Sequence, residues 1–270
     1  MLRIIKIIIG VVLVGWIILA VVFRPSHNRD WEVGQEELPK IEIENGKVII
    51  ENFRNFDWKT EKEVNKKYEK RIFNLNDLER TDVFISHFDD FEGLAHIFLS
   101  FGFSNGEQIV ISMESRREKD EEFSPLLGIL RQFEIIYVVG SEEDIVGLRT
   151  DLRKERVYLY PTVVSPEKSQ EFFLEIAKEI NSIYQKPKIY NTLACNCTNE
   201  ITRKAEAISE IKFPLTWKTI LPGYFDEVLS DMGLLKTDKN FSEIKNQSLI
   251  NNDLVNRYDY DYKEKLRTSN

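Results

Sequence analysis

Cys197 is the residue whose surroundings in the sequence best suit a nucleophile. It stands just before a helical pattern that includes Ile201-Thr-Arg-Lys-Ala-Glu-Ala-Ile, and Thr198 or Asn199 is the expected cap of that helix. Unpaired backbone N–H groups at a helix start stabilise a thiolate and can also receive an oxyanion. We therefore expect the pKa of Cys197 to be lowered, although a lone cysteine is more commonly a buried structural residue. Cys195 receives no role.

A hairpin pattern between residues 96 and 114 supplies the candidate partner of this thiol. A three-residue loop over Ser104-Asn105-Gly106, with Gly106 in the left-handed conformation, gives one purely apolar strand face, whereas a two-residue turn mixes polar and apolar side chains. The sequence therefore predicts the three-residue loop. The predicted core face consists of Ile97, Leu99, Phe101, Phe103, Ile109, Ile111 and Met113.

The opposite face of this hairpin collects polar side chains, namely His96, Ser100, Ser112 and Glu114. The predicted register places His96 directly across from Glu114, with Cβ atoms roughly 5 Å apart. A carboxylate beside an imidazole fixes its tautomer and raises its basicity, which suits a general base. The alternative is a solvated sheet face that carries an incidental His–Glu pair.

Composition excludes several classes of function. The chain has 270 residues, of which 42% are hydrophobic and 30% charged, which is typical of a globular protein. Its 37 basic and 45 acidic residues give a net charge of −8, so nucleic-acid binding is not expected. Two cysteines and three histidines are too few for a disulfide framework or a zinc site, and we expect neither a metal nor a cofactor.

An uncharged run from Ile7 to Phe23 predicts a membrane anchor. As a helix it would be about 26 Å long, and snorkelling of Lys6 and Arg24 would extend it towards the ~30 Å of a hydrocarbon core. A cleaved signal peptide is the alternative, but the run is long and lacks a good cleavage site. We expect the short amino-terminal end to lie on the inner side of the membrane and the large domain on its outer side.

The remaining pattern alternates strands and helices and predicts an α+β fold. We divide the chain into an anchor (1–24), a linker and entry segment (25–45), a catalytic domain (46–250) and a polar carboxy-terminal tail (251–270). Ser165 and Pro166 mark the start of a helix with an apolar face, as N-cap and first helical residue. Other expected elements are strands near residues 47–53, 83–86, 134–140 and 157–161 and a helix over 142–152.

Several motifs resemble a bacterial envelope family formerly known only as a domain of unknown function. The matching stretches are Ala95-His96-Ile-Phe-Leu-Ser-Phe-Gly-Phe, Ile111-Ser-Met-Glu114-Ser-Arg116-Arg117-Glu118, Arg131-Gln-Phe-Glu-Ile-Ile-Tyr-Val-Val, Leu148-Arg-Thr, Tyr190-Asn-Thr-Leu, Asn196-Cys197-Thr198 and Pro222-Gly-Tyr, together with Arg29-Asp-Trp. The resemblance extends from about residue 28 to the end. This family is associated with the periplasmic domain of a lipoprotein N-acyltransferase (Lnb-type).

The order of these motifs is similar to that of permuted papain-like thiol enzymes of the NlpC/P60 type. The resemblance implies a papain-like antiparallel sheet with packed helices, His96 as base and Cys197 as nucleophile. Glu114 as the third, orienting member follows from the hairpin register instead. Candidates for holding the oxyanion or orienting the pair are Asn196, Thr198 and Tyr190, and candidates for binding substrate are Ser100, Ser112, Arg116 and Arg117. The two arginines could meet lipid phosphate groups, or could simply be solvated.

The function expected from the sequence is that of a thiol acyltransferase anchored in the bacterial inner membrane, with its soluble domain in the periplasm and a thioester intermediate. Its expected partners are membrane lipids, with lipoproteins or peptidoglycan peptides as further possibilities. A cysteine hydrolase of wall peptides or lipid esters would use the same residues. A non-enzymatic anchored envelope module is the third alternative.

Overall fold

The computed structural model describes residues 3–7, 9–10, 14–16, 24–251 and 256–268. Most of the predicted anchor, Ile7 to Phe23, lies outside these residues. The parts of that run that are described are helical and exposed. Within the described ranges, no helix is both long enough and apolar enough to span a bilayer.

The centre of the molecule is a mixed eight-stranded sheet in the order β1-β2-β9-β8-β7-β6-β10, with β5 pairing β2. All of its pairs are antiparallel except β2 with β9, which meet in parallel at Arg54 and Gly140. The predicted α+β class is confirmed. The prediction of a purely antiparallel sheet is wrong, because β2 and β9 pair in parallel. The strands are β1 (Lys40–Glu44), β2 (Lys47–Arg54), β5 (Tyr68–Asn74), β6 (Leu78–His87), β7 (Ala95–Phe103), β8 (Gln108–Arg116), β9 (Glu134–Gly140) and β10 (Arg156–Pro161), with β3 (Asp57–Trp58) and β4 (Val64–Asn65) forming a separate ribbon.

The hairpin of β7 and β8 has the predicted register. Leu99 lies opposite Ile111 and Phe101 lies opposite Ile109, while Gly106 has φ of 84°. The Phe103 N–H donates to the Glu107 carbonyl at 3.0 Å, which closes the three-residue loop. The alternation of side chains along these strands therefore decided the register, because a shift by one residue would expose the apolar set.

Helices cover both faces of the sheet. The predicted helix after Ser165 is confirmed: the Ser165 side chain caps it by accepting from the Lys168 N–H. The helices are α1 (Pro125–Ile129), α2 (Glu142–Gly147), α3 (Pro166–Gln185), α4 (Cys197–Ile208), α5 (Trp217–Ile220), α6 (Phe225–Asp231), α7 (Phe241–Ser248) and α8 (Tyr262–Thr268). A π-helical turn, Leu148–Leu152, continues α2.

The described residues form three hydrophobic clusters, and the two larger ones lie on opposite faces of the sheet, while the third consists of Phe56, Trp58 and Leu148. The larger cluster joins the predicted core face of the hairpin to α3, α4, α6 and α7. The second joins Phe84, Phe98 and Val110 to α2 and α8, where Tyr262 and Leu266 are each 1% exposed. The hairpin face that carries His96 is thus covered by protein along most of its length, and only its end opens to solvent.

Candidate functional site

His96 lies near the start of β7 and is held by a short chain of hydrogen bonds. Its Nε2 is 2.7 Å from Ser112 Oγ, and the Ser112 hydroxyl donates to Glu114 Oε1 at 2.9 Å. Since the single proton of Ser112 goes to Glu114, its oxygen must accept from Nε2–H. This leaves the lone pair on Nδ1, which makes no recorded hydrogen bond to any described residue. We call the series Glu114–Ser112–His96 the relay.

The relay differs from the predicted direct pair. The β7–β8 ladder ends at Leu99 and Ile111, and beyond this point β8 continues its pairing with β9, where Glu114 faces Ile136. His96 therefore contacts Ser112, two positions before Glu114 along the strand. The predicted shared face is confirmed, and Ser112 stands between the imidazole and the carboxylate.

Glu114 is held in its ionised form. Burial alone would raise the pKa of Glu114, but the Arg149 guanidinium and the other nearby positive charges bring it well below its usual range. Arg149 Nη2 donates to Oε1 at 2.9 Å, and Gln35 Nε2 donates to Oε2 at 3.3 Å. The relay therefore ends on a fixed negative charge.

The imidazole itself is a weak base in the resting protein. Burial of the ring, together with the charge of Arg149, lowers the pKa of His96 to about 3, although Glu114 acts in the opposite direction. The expected rise in basicity is therefore wrong, because desolvation and a cation outweigh the carboxylate. His96 is neutral at physiological pH, as a general base must be before it acts.

Cys197 begins α4, as the sequence predicted, but the cap is Asn196. The Asn196 side-chain oxygen accepts from the Asn199 N–H at 2.9 Å, and its amide donates to the Thr192 carbonyl at 2.6 Å. Asn196 therefore fixes the loop and the helix start together. Cys197 is 5% exposed.

The sulfur of Cys197 is held as a thiol. Burial raises the pKa of Cys197, and the backbone N–H groups of Ile97 and Thr198 oppose this rise without reversing it. The predicted lowering of the pKa is wrong, because the helix start does not compensate for loss of water at a buried sulfur.

One cleft of about 1190 Å³ brings the thiol and the imidazole to the same surface. His96, Glu114, Arg149, Asn196 and Cys197 all line it. The rest of the lining includes an apolar set (Phe88, Leu94, Phe123, Leu193, Ile220 and Leu221) and a charged set (Arg29, Glu32, Arg117, Lys119, Arg153 and Glu155). No hydrogen bond joins the described side chains of Cys197 and His96. The two residues are related by lining the same cleft.

Comparison with known proteins adds a family to this geometry. A model described as the Lnb N-terminal periplasmic domain matches residues 65–223, a segment that includes His96, Glu114 and Cys197. The chain belongs to this family. The family's description as a periplasmic domain agrees with the predicted side of the membrane. Comparison with curated proteins and with solved structures gave no match.

Four other predicted site residues of this Lnb-family protein differ in whether they line the cleft. Tyr190 and Arg117 line the cleft. Thr198 is fully buried and its hydroxyl has no hydrogen-bond partner within the described structure. Ser100 is also fully buried and donates to Glu142 at 2.7 Å, away from the cleft.

Arg116 supports the structure instead of facing lipid. Its Nε donates to the Gln35 carbonyl at 2.9 Å and its Nη2 to the Glu36 carbonyl at 2.7 Å, while its guanidinium stacks 4.0 Å from the centre of the Trp31 ring. These contacts fasten the predicted linker segment, residues 25–45, to the end of β8. The linker therefore forms one wall of the cleft.

Sequence reasoning missed two partners of Glu114, namely Arg149 and Gln35. Arg149 lies in the Leu148-Arg-Thr motif, which contributed to the resemblance but received no role. A buried carboxylate requires a cation, and this requirement was the available signal. Among the described residues, no group of three or more His, Cys, Asp and Glu side chains is arranged to hold a metal ion.

Proposed function

We propose that this protein is a membrane-anchored periplasmic acyltransferase in which Cys197 is the nucleophile and His96 the general base. The observation that supports this most is the relay: a carboxylate kept ionised by Arg149 holds a neutral imidazole through Ser112, with Nδ1 left free beside a cleft that also contains the thiol. Nucleophile, base and orienting acid are the three parts that covalent acyl transfer requires.

The reaction starts from neutral groups. As the Cys197 sulfur attacks an ester carbonyl, Nδ1 of His96 takes the thiol proton and Glu114 stabilises the resulting imidazolium through Ser112. The carbonyl oxygen gains the negative charge, and backbone N–H groups at the start of α4 are suited to stabilise it. Collapse of the tetrahedral intermediate breaks the ester bond, and the imidazolium protonates the departing alcohol.

The product of this first half is a thioester on Cys197. An amine, here the terminal amine of a lipoprotein, then attacks the thioester carbonyl. His96 accepts the proton that the amine loses and returns one proton to the departing sulfur. The acyl group ends on nitrogen as an amide, and the enzyme returns to its resting state.

A cysteine hydrolase is the second candidate. Water would replace the amine in the second half, and the charged set in the cleft lining admits water to the site. Wall peptides or lipid esters would be its substrates. The same pair of side chains would do the chemistry.

The test uses the full chain in detergent with a fluorescent-acyl phospholipid, and the acceptor is a peptide with a free terminal amine. We expect a hydroxylamine-sensitive fluorescent adduct on wild-type protein and on Cys195→Ala, no adduct on Cys197→Ala, and acyl transfer to the peptide amine. Release of free fatty acid without acylated peptide would favour the hydrolase. If Cys197→Ala also supports every cellular phenotype of the wild type, the protein is a non-enzymatic module.

A further inference from the structure

Exposed apolar side chains from separate segments line the cleft or lie close in sequence to residues that line it. We call Phe88, Leu126, Leu193, Leu215, Trp217 and Ile220 the apolar rim. Phe88, Leu193 and Ile220 line the cleft itself. Leu126, Leu193 and Trp217 are 64%, 60% and 57% exposed. Soluble surfaces rarely gather so many large apolar groups around one opening without a binding role.

The rim is a fixed surface. The Gly223 N–H donates to the Gly93 carbonyl at 3.3 Å, so the loop before β7 and the turn after α5 touch backbone to backbone. A Cβ added at Gly223 would lie 1.7 Å from the Glu92 carbonyl oxygen, which shows how closely they pack. On the other side, Thr192 Oγ1 donates to the Pro125 carbonyl at 2.7 Å and ties the loop before α4 to α1.

The two sides meet at the cleft. Phe88 from the first and Phe123 from the second pack edge to face with ring centroids 6.2 Å apart. The rim side chains therefore remain exposed because the backbone beneath them is held in place. Their exposure is a feature of the fold and not of a loosely packed loop.

Trp16 of the amino-terminal apolar run and Ser26 after it both contact the body close to α1. The Ser26 N–H donates to Glu134 Oε1 at 2.9 Å, and the Arg131 guanidinium lies 5.7 Å from the centre of the Trp16 ring. Arg131 and Glu134 follow α1, which carries Leu126 of the rim. A bilayer that holds the run would therefore lie near the same side of the body as the rim.

We propose that the apolar rim docks into the surface of a lipid bilayer, so that the cleft opens directly onto lipid. Tryptophan is enriched where protein meets the headgroup region, and Trp217 stands on the rim. An acyl chain can then pass from the bilayer along the apolar set to Cys197 without crossing water. The passage of an acyl chain to Cys197 rests on the proposed function. The docking surface itself does not depend on the thiol.

The first test is photolabelling of the full chain in vesicles. The vesicles contain phosphatidylethanolamine, phosphatidylglycerol and a lipid with a photoactivatable acyl chain, and adducts are mapped by mass spectrometry. We expect adducts in residues 125–130, 191–195 and 215–220 as well as in the run before Arg24. Cys197→Ala should give the same pattern, so that a failure of the thiol chemistry is distinguished from a failure of docking.

A matched pair of variants tests the rim itself. Leu126→Ser/Leu193→Ser/Trp217→Ser removes rim groups, and Ile72→Ser/Val163→Ser/Tyr260→Ser removes similarly exposed apolar groups elsewhere. We expect labelling of the remaining rim segments to fall about tenfold in the first variant, because each lost apolar group weakens docking, and to be unchanged in the second. Both should keep the wild-type melting temperature, since all six side chains are exposed.

Three outcomes would overturn the proposal. Adducts confined to the run before Arg24 would show that the rim does not reach lipid. Equal labelling of the rim and the control positions would show that contact is non-specific. Cross-links between the rims of two copies, without lipid adducts, would show that a second copy covers this surface.

Discussion

Asp144 and Glu114 are each paired with an arginine, yet their surroundings differ. Asp144 accepts from Arg54 Nε and Nη2 at 2.8 and 3.0 Å, from the Phe56 N–H at 2.9 Å and from Trp58 Nε1 at 2.7 Å. All of these donors are fixed and Asp144 is fully buried. The cluster is closed, and its role is to hold β2, β3 and α2 together.

Glu114 is also paired with an arginine, but its chain of hydrogen bonds ends at a residue that lines the cleft. One of its hydrogen bonds leads through Ser112 to His96, and the far nitrogen of that ring faces no described partner. The same pairing of carboxylate and guanidinium thus stabilises structure in one place and orients a base in the other. What distinguishes the site is Nδ1 of His96, which has no hydrogen-bond partner among the described residues and belongs to a ring that lines the cleft.

The largest effect should come from removing the nucleophile at the open end. We expect Cys197→Ala to reduce acyl transfer by at least about a thousandfold, because no other described side chain in the cleft replaces the thiol. Asp144 and its cluster are untouched, so the free energy of unfolding should change little. Turnover assays and urea denaturation of the same preparation measure both, and residual activity above a tenth of wild type would rule out covalent catalysis at Cys197.

Breaking the closed cluster should have the opposite profile. Asp144→Ala leaves the Arg54 guanidinium buried without its counter-ion, and loss of one partner of a buried pair costs about 3–5 kcal/mol. We expect this loss in urea denaturation, with the turnover of the remaining folded protein close to wild type. A stable but inactive variant would mean that Asp144 belongs to the site after all.

Cutting the relay in the middle should give an intermediate effect. Ser112→Ala leaves the Nε2–H of His96 without its acceptor, so the imidazole loses its orientation and its link to Glu114. We expect kcat to fall about tenfold to a hundredfold, part of what a general base contributes, with KM unchanged. Ser100→Ala is the matched control, since Ser100 is equally buried on the same sheet face but donates to Glu142. Equal losses in the two variants would indicate a packing effect only.

The pH dependence should show the smallest effect. His96 acts when neutral, and with a pKa of about 3 it stays neutral well below pH 5. Burial raises the pKa of Cys197 above its ordinary value, so the thiol form predominates at neutral pH. We therefore expect kcat/KM to be flat between about pH 5 and 8. A bell-shaped profile centred in this range would instead indicate a thiolate–imidazolium pair at rest.

The same pKa shift predicts how stability depends on pH. Unfolded His96 binds a proton near its ordinary pKa of 6.5, whereas the folded ring does not until about 3. Its contribution to the free energy of unfolding is therefore complete above pH 6.5 and is lost progressively as the pH falls towards 3. His96→Gln should weaken this dependence, which urea denaturation at several pH values would measure.

The parts of the fold that depend on local pattern were predictable from the sequence. Alternating side chains and Gly106 gave the register of the hairpin, and Ser165 with Pro166 gave the start of α3. Cys197 at the head of a helix followed from the residues after it. Each of these depends on interactions between residues close in sequence or directly paired.

The parts that depend on distant packing were not predictable. The pairing of β7 with β8 ends at Leu99 and Ile111, whereas β8 continues to pair with β9. Ser112 therefore enters the relay. The signs of the pKa shifts of His96 and Cys197 depend on burial by elements far along the chain. Arg149 reaches Glu114 only because a π-helical turn extends α2. The papain-like arrangement and the catalytic roles stay predictions until activity is measured.

The stretch between the apolar run and the sheet also contacts the relay. Gln35 donates to Glu114, and the guanidinium of Arg116 stacks on the ring of Trp31. If the proposed anchoring and chemistry hold, a protease that cut between Gln35 and Lys40 would separate the sheet from the anchor and would also break the covalent link between Gln35 and the sheet. Detachment from the membrane and loss of acyl transfer would then be expected to occur together.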